Sequence, residues 1–253
     1  MISRRQLLQS IPAAVLAAGA DPVSAALNQR SYQGVMRYSL ASRENGRESF
    51  FVTVQPDGLR TLRARCELDD DQLLRDVTLT VDADWRPMTA FIQLTIAGKL
   101  AGATWYRFAP NEIVVEGYNV VAGRISQRVP LTRPADAFGA HPIHGDAWNL
   151  ARLRLAGGRR INAPRFTSSS MSNGASGPGL VLLPENYLVY ALAGRDTVTT
   201  SSGSYAADHF TMTVTAKKKV NHIWAYGADC IPVRMTTSDG RNYELVELTG
   251  DAR

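Results

Sequence analysis

Apolar and polar residues alternate with a period of two along most of this chain, and no other feature constrains its fold as strongly. Such alternation is typical of β-strands that have one buried face. It recurs at residues 49–54, 76–81, 91–96, 104–108, 112–121, 179–183, 209–215, 220–226 and 243–248. Turn-forming pairs separate the runs, among them Asn45-Gly46, Asp57-Gly58 and Asp239-Gly240. Helical spacing is scarce and predicts only one turn at 68–74 and a short helix at 148–155.

Ten or more short strands in a chain of 253 residues indicate an all-β fold. A sheet with so many strands must curl, close or stack to protect its edges. We therefore predict a strongly curved antiparallel sheet or a partly open β-barrel with one or two short helices; a β-sandwich is the alternative. The chain lacks a β–α–β rhythm, which argues against a nucleotide-binding α/β domain.

The N-terminus has the three-part layout of a bacterial export signal. Arg4 and Arg5 are followed by a mild apolar stretch at 11–20 and by small residues up to Ala26. We predict a twin-arginine-type signal peptide at 1–26, read by the twin-arginine export machinery; an ordinary secretory signal is the alternative. The apolar stretch is shorter than the about 20 residues that a membrane-spanning helix needs. The mature protein is therefore expected to be periplasmic or secreted, without a transmembrane anchor.

Residues 27–253 are predicted to form a single β domain, and two separate domains are the alternative. A Ser/Gly-rich segment at 168–179 interrupts the strand pattern and predicts a flexible surface loop. Cys66 and Cys230 are the two cysteines. In an oxidising compartment they would form a disulfide, and otherwise they would be two unpaired, buried thiols.

The charge balance is mildly basic, with 28 basic and 23 acidic residues and a net charge of +5. The basic residues are scattered, and the densest run is only the three lysines at 217–219. Nucleic-acid binders concentrate such charge in a stripe or patch, so we expect no nucleic-acid partner. Arg60, Arg63 and Arg65 form a second basic cluster, which could attract an anionic ligand or a lipid head group.

The C-terminal part of the chain resembles a family of secreted, β-rich bacterial domains of unknown function. The resemblance rests on short motifs at 195–200, 203–205, 209–210, 223–225, 229–235 and 243–245. This family is similar in broad shape to periplasmic lipoprotein carriers, which have a curved sheet around an apolar cavity. The resemblance implies a fold and a compartment, and it brings no catalytic residues or cofactor with it.

The segment at 138–148 concentrates polar, glycine and aromatic residues that are typical of functional loops. His144 and Asp146 are two residues apart, and in an extended chain they would point to the same side. With His141, they are the candidate catalytic residues for acid–base chemistry. The alternatives are a structural turn in which Asp146 caps the helix, and a metal site completed by a distant ligand such as His209. No metal site is predicted, and no cofactor can be identified.

Aromatic residues are the candidate ligand-binding groups. His222, Trp224 and Tyr226 share one face of a predicted strand, while Trp105 and Trp148 lie in other segments. These side chains would line an apolar cavity. Two functions follow from this prediction. The first is a periplasmic protein that binds or carries a small hydrophobic or lipid-like molecule. The second is an isomerase, lyase or hydrolase that acts on such a molecule by His/Asp acid–base catalysis.

Overall fold

The computed structural model describes residues 29–155, 160–162, 166–170, 176–183 and 186–253. The predicted signal peptide at 1–26 lies outside the described residues. Within the described part, no helix has the length and apolar character needed to cross a membrane.

The described chain consists of strands, one α-helix and a single 3-10 turn at Thr215–Lys217. The helix, α1, comprises Ile143–Leu155. The strands are β1 (Arg30–Leu40), β2 (Arg43–Val54), β3 (Arg60–Leu68), β4 (Leu73–Val81), β5 (Pro87–Ile96), β6 (Lys99–Phe108), β7 (Glu112–Asn119), β8 (Gly123–Pro130), β9 (Phe138–Gly139), β10 (Arg160–Asn162), β11 (Phe166–Ser170), β12 (Ser176–Leu182), β13 (Leu188–Thr200), β14 (Gly203–Val214), β15 (Lys219–Tyr226), β16 (Ile231–Thr236) and β17 (Arg241–Gly250).

Fourteen strands form one sheet in the order β10-β13-β14-β15-β16-β17-β1-β2-β3-β4-β5-β6-β7-β8. Strands β1 and β17 pair in antiparallel fashion, so the beginning and the end of the described chain meet in the middle of the sheet. The sheet is not closed, and β8 and β10 are its edges. A second sheet of three strands, in the order β12-β11-β9, lies near β5, β6, β7 and β8.

The large sheet is strongly curved around α1. Laid flat, fourteen strands at about 4.8 Å spacing would span roughly 65 Å. Instead, one apolar cluster includes Tyr106 of β6, Phe210 of β14 and Leu150 of α1. The helix also contacts β9, β13 and β16. The predicted curved antiparallel sheet is thus confirmed, and the sheet is continuous rather than split into the layers of a sandwich.

The predicted strand runs all coincide with strands of the structure. In β5, for example, Ile92 and Leu94 are buried while Phe91 is exposed, as the alternation requires. The turn at 68–74 joins β3 to β4 and is not helical. In the Ser/Gly-rich segment, residues 168–170 and 176–179 belong to β11 and β12. Residues 171–175 lie outside the described part, and the flexibility of this segment stays a prediction.

Cys66 and Cys230 are both free and both buried, which confirms the second of the two alternatives for these residues. Cys66 lies on β3 and faces the core, whereas Cys230 immediately precedes β16. Burial raises the pKa of the Cys230 thiol to about 12 and raises that of Cys66 as well. Both are therefore protonated, inert thiols at neutral pH, and they act as small apolar residues of the core.

Candidate functional site

A buried carboxylate from a distant strand caps the N-terminus of α1. The backbone N–H groups of Ile143 and His144 donate to Glu48 of β2 at 2.6 and 3.0 Å. The hydroxyl of Tyr38 donates to the same carboxylate at 2.5 Å. Because the first N–H groups of a helix have no partner within the helix, and because the helix dipole favours negative charge there, Glu48 fixes the start of α1. The sequence prediction that Asp146 is the cap is therefore wrong.

Glu48 belongs to a row of polar groups that crosses the core side of the sheet. It pairs across the strands with Cys66, which in turn pairs with Arg75 of β4. Glu48 and Arg75 are 0% and 4% exposed. Burial raises the pKa of Glu48, while its hydrogen bonds and the charge of Arg75 oppose the shift. The sequence contains the signal for this row, because Glu48 alternates in phase with the apolar residues Phe50 and Val52.

His144 and Asp146 lie within α1 and not in an extended loop. Two residues along a helix are rotated by about 200°, so the two side chains point to nearly opposite sides. The prediction that they face the same side is therefore wrong, and the structure forms no His144–Asp146 hydrogen bond. Burial raises the pKa of Asp146 to about 7, with a further contribution from the charge of Glu48. Asp146 is thus a titratable acid near neutral pH.

His141 and His144 are neutral at physiological pH. Burial lowers the pKa of each imidazole to about 3, and Arg75 contributes to the shift at His141. The ring of His144 lies 4.3 Å from that of Phe50, and its Nε2 is 3.1 Å from the hydroxyl of Tyr32. An imidazole that resists protonation so strongly is a poor general base, which weakens the predicted catalytic role of both histidines.

One face of α1 carries three buried nitrogen atoms that lack a partner. They are Nδ1 of His144, Nε1 of Trp148 and one terminal nitrogen of Arg152, and none has a hydrogen-bond partner among the described residues. Residues at intervals of four lie on the same side of a helix. Each buried polar group without a partner lowers the stability of the folded protein by about 1–3 kcal/mol. Three such groups on one face of a helix are therefore unusual in a native protein core.

The stripe leads from the core to the surface along an aromatic wall. The rings of Trp148 and Trp85 meet edge-on at 5.7 Å, and the guanidinium of Arg60 lies 3.9 Å above the Trp85 ring. Nε of Arg60 is also buried without a partner among the described atoms. Beside this wall, a surface hollow of about 250 Å³ is lined by Asp84, Arg86, Arg152 and Leu155. Trp148 is thus a buried member of this wall, and its ligand-binding role stays a prediction.

Four other predicted ligand-binding residues lie away from this wall. In β15 the buried face carries Asn221, Ile223 and Ala225, so the prediction that His222, Trp224 and Tyr226 face the core is wrong. Those three are half-buried on the other face. The prediction that Trp105 lines the cavity is also wrong. Trp105 is 39% exposed on the outer face of β6, and its neighbour Tyr106 points inward.

His222 and Trp224 instead join a compact cluster outside the core face. Nε2 of His209 and Nδ1 of His222 are 2.9 Å apart, and the His209 ring stacks on Trp224 at 4.4 Å. Trp224 donates from Nε1 to the carboxylate of Asp196 at 2.8 Å. Burial lowers the pKa of His209, against the opposing charge of Asp196. The register of β14 against β15 brings His209 and His222 together, and the sequence of neither strand contains that register.

Within the described residues, no group of three or more His, Cys, Asp or Glu side chains has the arrangement needed to hold a metal ion. Asp208, which neighbours His209 in the sequence, pairs with Arg154 at 2.7 Å. Arg154 also donates to the backbone oxygens of Gly227 and Ala225, which ties the C-terminal end of α1 to β15.

No protein-family model matches this chain. No curated protein matches it. Among solved structures, it is similar to a β-barrel-like protein of the domain of unknown function DUF1849 from Brucella abortus. The two are 12% identical, with a TM-score of 0.54, over 87% of this chain and 96% of that chain. A DUF1329 family protein from Desulfovibrio piger is 10% identical over 88% and 86% of the two chains, with a TM-score of 0.23.

The DUF1849 structure confirms the predicted resemblance to β-rich domains of unknown function at the level of the fold. At 12% identity, this likeness carries no activity or ligand to the present chain.

Proposed function

We propose that this protein binds a small hydrophobic or lipid-like molecule beside α1, on the concave side of the sheet. The observation that carries the proposal is the stripe of unpartnered nitrogens on His144, Trp148 and Arg152 within an aromatic wall. Ligand sites combine a mostly apolar lining with a few placed polar groups. A molecule with an apolar body and an acceptor head would bury its body against this wall, and its head would accept a hydrogen bond from Nε1 of Trp148.

The exposure of the wall residues indicates the route by which a ligand would enter the site. His144 and Trp148 are 0% and 2% exposed, so they lie at the inner end. Arg60 is half-buried, and its guanidinium covers the face of Trp85. The hollow at Asp84 and Arg152 provides the outer end of the route. Entry from this side requires movement of the Arg60 side chain, which is a smaller change than opening the sheet.

Replacement of Trp148 by phenylalanine tests the site. Dodecanoate is a suitable probe, since it has an apolar chain and an acceptor head. Trp148→Phe removes the Nε1 donor and keeps an aromatic ring, and we expect dodecanoate to bind about tenfold more weakly, the equivalent of one hydrogen bond to a charged group. Isothermal titration calorimetry measures the change, and thermal melting of both proteins checks that the variant is folded.

Trp105→Phe is the matched control, because Trp105 lies on the outer face and its loss should leave the affinity unchanged. Mass spectrometry of the denatured, purified protein provides an independent readout, namely a co-purifying apolar molecule. Equal affinities of the two variants, or no binding and no extractable molecule, would contradict the proposal.

The second candidate function is that of an enzyme, and the raised pKa of Asp146 favours it. Its pKa of about 7 suits a general acid or base at neutral pH, and Arg75 is close enough to stabilise negative charge. Unlike the predicted His/Asp pair, this chemistry would depend on Asp146 alone. If the extractable molecule is converted over time by the wild-type protein but not by Asp146→Asn, the protein is an enzyme; if it is unchanged in both, the protein is a carrier.

The proposal also places the mature protein outside the cytoplasm, in the periplasm or the medium. Its support is the twin-arginine pattern at Arg4 and Arg5 with the apolar stretch that follows. We expect the mature chain to begin after Ala25 or Ala26. N-terminal sequencing of protein recovered from a periplasmic fraction checks this, and a chain that starts at Met1 and stays in the cytoplasm would contradict it.

A further inference from the structure

A second hollow lies at the end of the sheet where β14 turns into β15 and β16 turns into β17. Its volume is about 260 Å³. The 3-10 turn at Thr215–Lys217 forms one wall and the turn around Asp239 forms another. Its lining includes Lys217, Lys219, Asn221, Ser238, Asp239 and Arg241. None of these residues belongs to the α1 wall.

The floor of this hollow carries an oriented polar group. Asn221 is only 9% exposed, and its Oδ1 accepts a hydrogen bond from the backbone N–H of Ser238 at 3.1 Å. Because an N–H must donate to the amide oxygen, this bond fixes which end of the amide faces Ser238. The Nδ2 group of Asn221 points the other way and makes no hydrogen bond to any described residue. The floor is thus a fixed donor that lacks a partner.

The rim of the hollow is positively charged. Lys217, Lys219 and Arg241 contribute three positive charges, and Asp239 contributes one negative charge. The carboxylate of Asp239 is already engaged, since it accepts a hydrogen bond from the hydroxyl of Thr237. That bond lowers the pKa of Asp239, and the charges of Arg241 and Lys219 lower it further. Arg241 also pairs with the carboxylate of Asp239 at 3.7 Å, and the lining keeps an excess of two positive charges.

We propose that this hollow binds a phosphate-type oxyanion, either free or as a phosphorylated head group. The tetrahedral oxygens of such an anion match a single fixed amide donor and several mobile cations, which form charge-assisted hydrogen bonds. The excess positive charge attracts the anion, and the attraction falls as salt screens it. A carboxylate ligand would use the same cations but would leave part of this donor set unpaired.

Binding of inorganic phosphate to the full mature chain at low ionic strength tests the proposal. We expect Lys219→Gln and Arg241→Gln each to weaken binding about tenfold, the equivalent of one charge-assisted hydrogen bond. Asp239→Asn should bind phosphate more tightly, roughly threefold, because it removes the negative charge that faces the anion. Because Asp239→Asn must be folded to bind more tightly, this result does not depend on whether Lys219→Gln or Arg241→Gln impairs folding.

Lys99→Gln is the matched control, since Lys99 is an exposed lysine at the start of β6. It removes the same charge at a remote place and should leave phosphate binding unchanged. The proposal is overturned if the wild-type protein does not bind phosphate at millimolar concentrations, or if Lys99→Gln weakens binding as much as Lys219→Gln does.

Vesicles distinguish the source of the anion. Co-sedimentation with phosphatidylcholine vesicles that contain phosphatidic acid, lost in Lys219→Gln and competed by inorganic phosphate, would identify a phosphorylated head group. Phosphate binding without such co-sedimentation would identify the free anion as the ligand. Vesicle binding that phosphate does not compete, or that Lys219→Gln retains, would overturn the assignment of this hollow.

Discussion

Glu48→Ala is expected to lower the free energy of unfolding by about 3–5 kcal/mol, the cost of removing one partner from a buried, hydrogen-bonded polar cluster. The variant leaves the N–H groups of Ile143 and His144 and the hydroxyl of Tyr38 without their acceptor. It also leaves the charge of Arg75 without the nearby carboxylate. In a β domain of this size, the loss corresponds to a melting temperature lower by roughly 10 °C.

Chemical denaturation of the purified protein measures the effect. Glu44→Ala is the control, because Glu44 lies on the same strand but is exposed. Its removal should change the stability by less than about 0.5 kcal/mol. Glu48→Gln should fall between the two, since one amide oxygen can accept from the backbone while the amide nitrogen faces the remaining donor. If Glu48→Ala and Glu44→Ala are equally stable, Glu48 does not cap α1.

The strands could be predicted because their signal is local. In β4 every second residue from Leu73 to Val81 faces the core, and the buried side of such a strand can be seen within nine residues of sequence. The exception is β15, where both faces carry apolar side chains. There the core face belongs to Ile223 and Ala225, while the larger Trp224 packs against His209. Which face of β15 points to the core depends on its packing against the neighbouring strand β14, and the sequence of β15 alone does not show this packing.

The start of α1 could not be predicted from nearby residues. Apolar spacing indicates a helix only at 148–155, yet α1 begins at Ile143 because Glu48, 95 positions away in the sequence, caps it. An interaction of that range is set by the register of β2 against the rest of the sheet. What the sequence does show is that Glu48 and Arg75 occupy inward positions of their strands. Two opposite charges at core positions indicate a buried polar partner even when that partner is unknown.

The helical conformation of α1 determines which of the candidate site residues lie close together. His141, His144 and Asp146 are close in sequence and lie at one end of α1, but the helical turn separates the last two. Trp148 follows His144 by one helical turn, and the two share a face with Arg152. The prediction therefore found the segment, whereas the arrangement within it required the correct secondary structure.

Asp146→Asn is expected to stabilise the protein at neutral and alkaline pH. Burial raises the pKa of Asp146 in the folded state to about 7, above its ordinary value of 3.8. The folded state thus keeps a proton that the unfolded state has lost, and stability declines as the pH rises from 3.8 to about 7. Full burial would make the loss about 4 kcal/mol, and partial exposure of the side chain reduces it to roughly 2–3 kcal/mol. Asparagine resembles the protonated acid and avoids this loss.

Urea unfolding at pH 3.5 and pH 8 separates this effect from the others. The neutral, buried imidazoles of His141 and His144, each with a pKa of about 3, act in the opposite direction, because stability is lost as the pH falls below 6.5. Since the wild type and the variant share both histidines, the difference between them isolates Asp146. That difference should be near zero at pH 3.5 and largest at pH 8.

Asp69→Asn, in the exposed turn after β3, should show no such dependence. A gain of equal size at both pH values would mean that folding leaves the pKa of Asp146 at its ordinary value of 3.8, and the general-acid role would be lost with it.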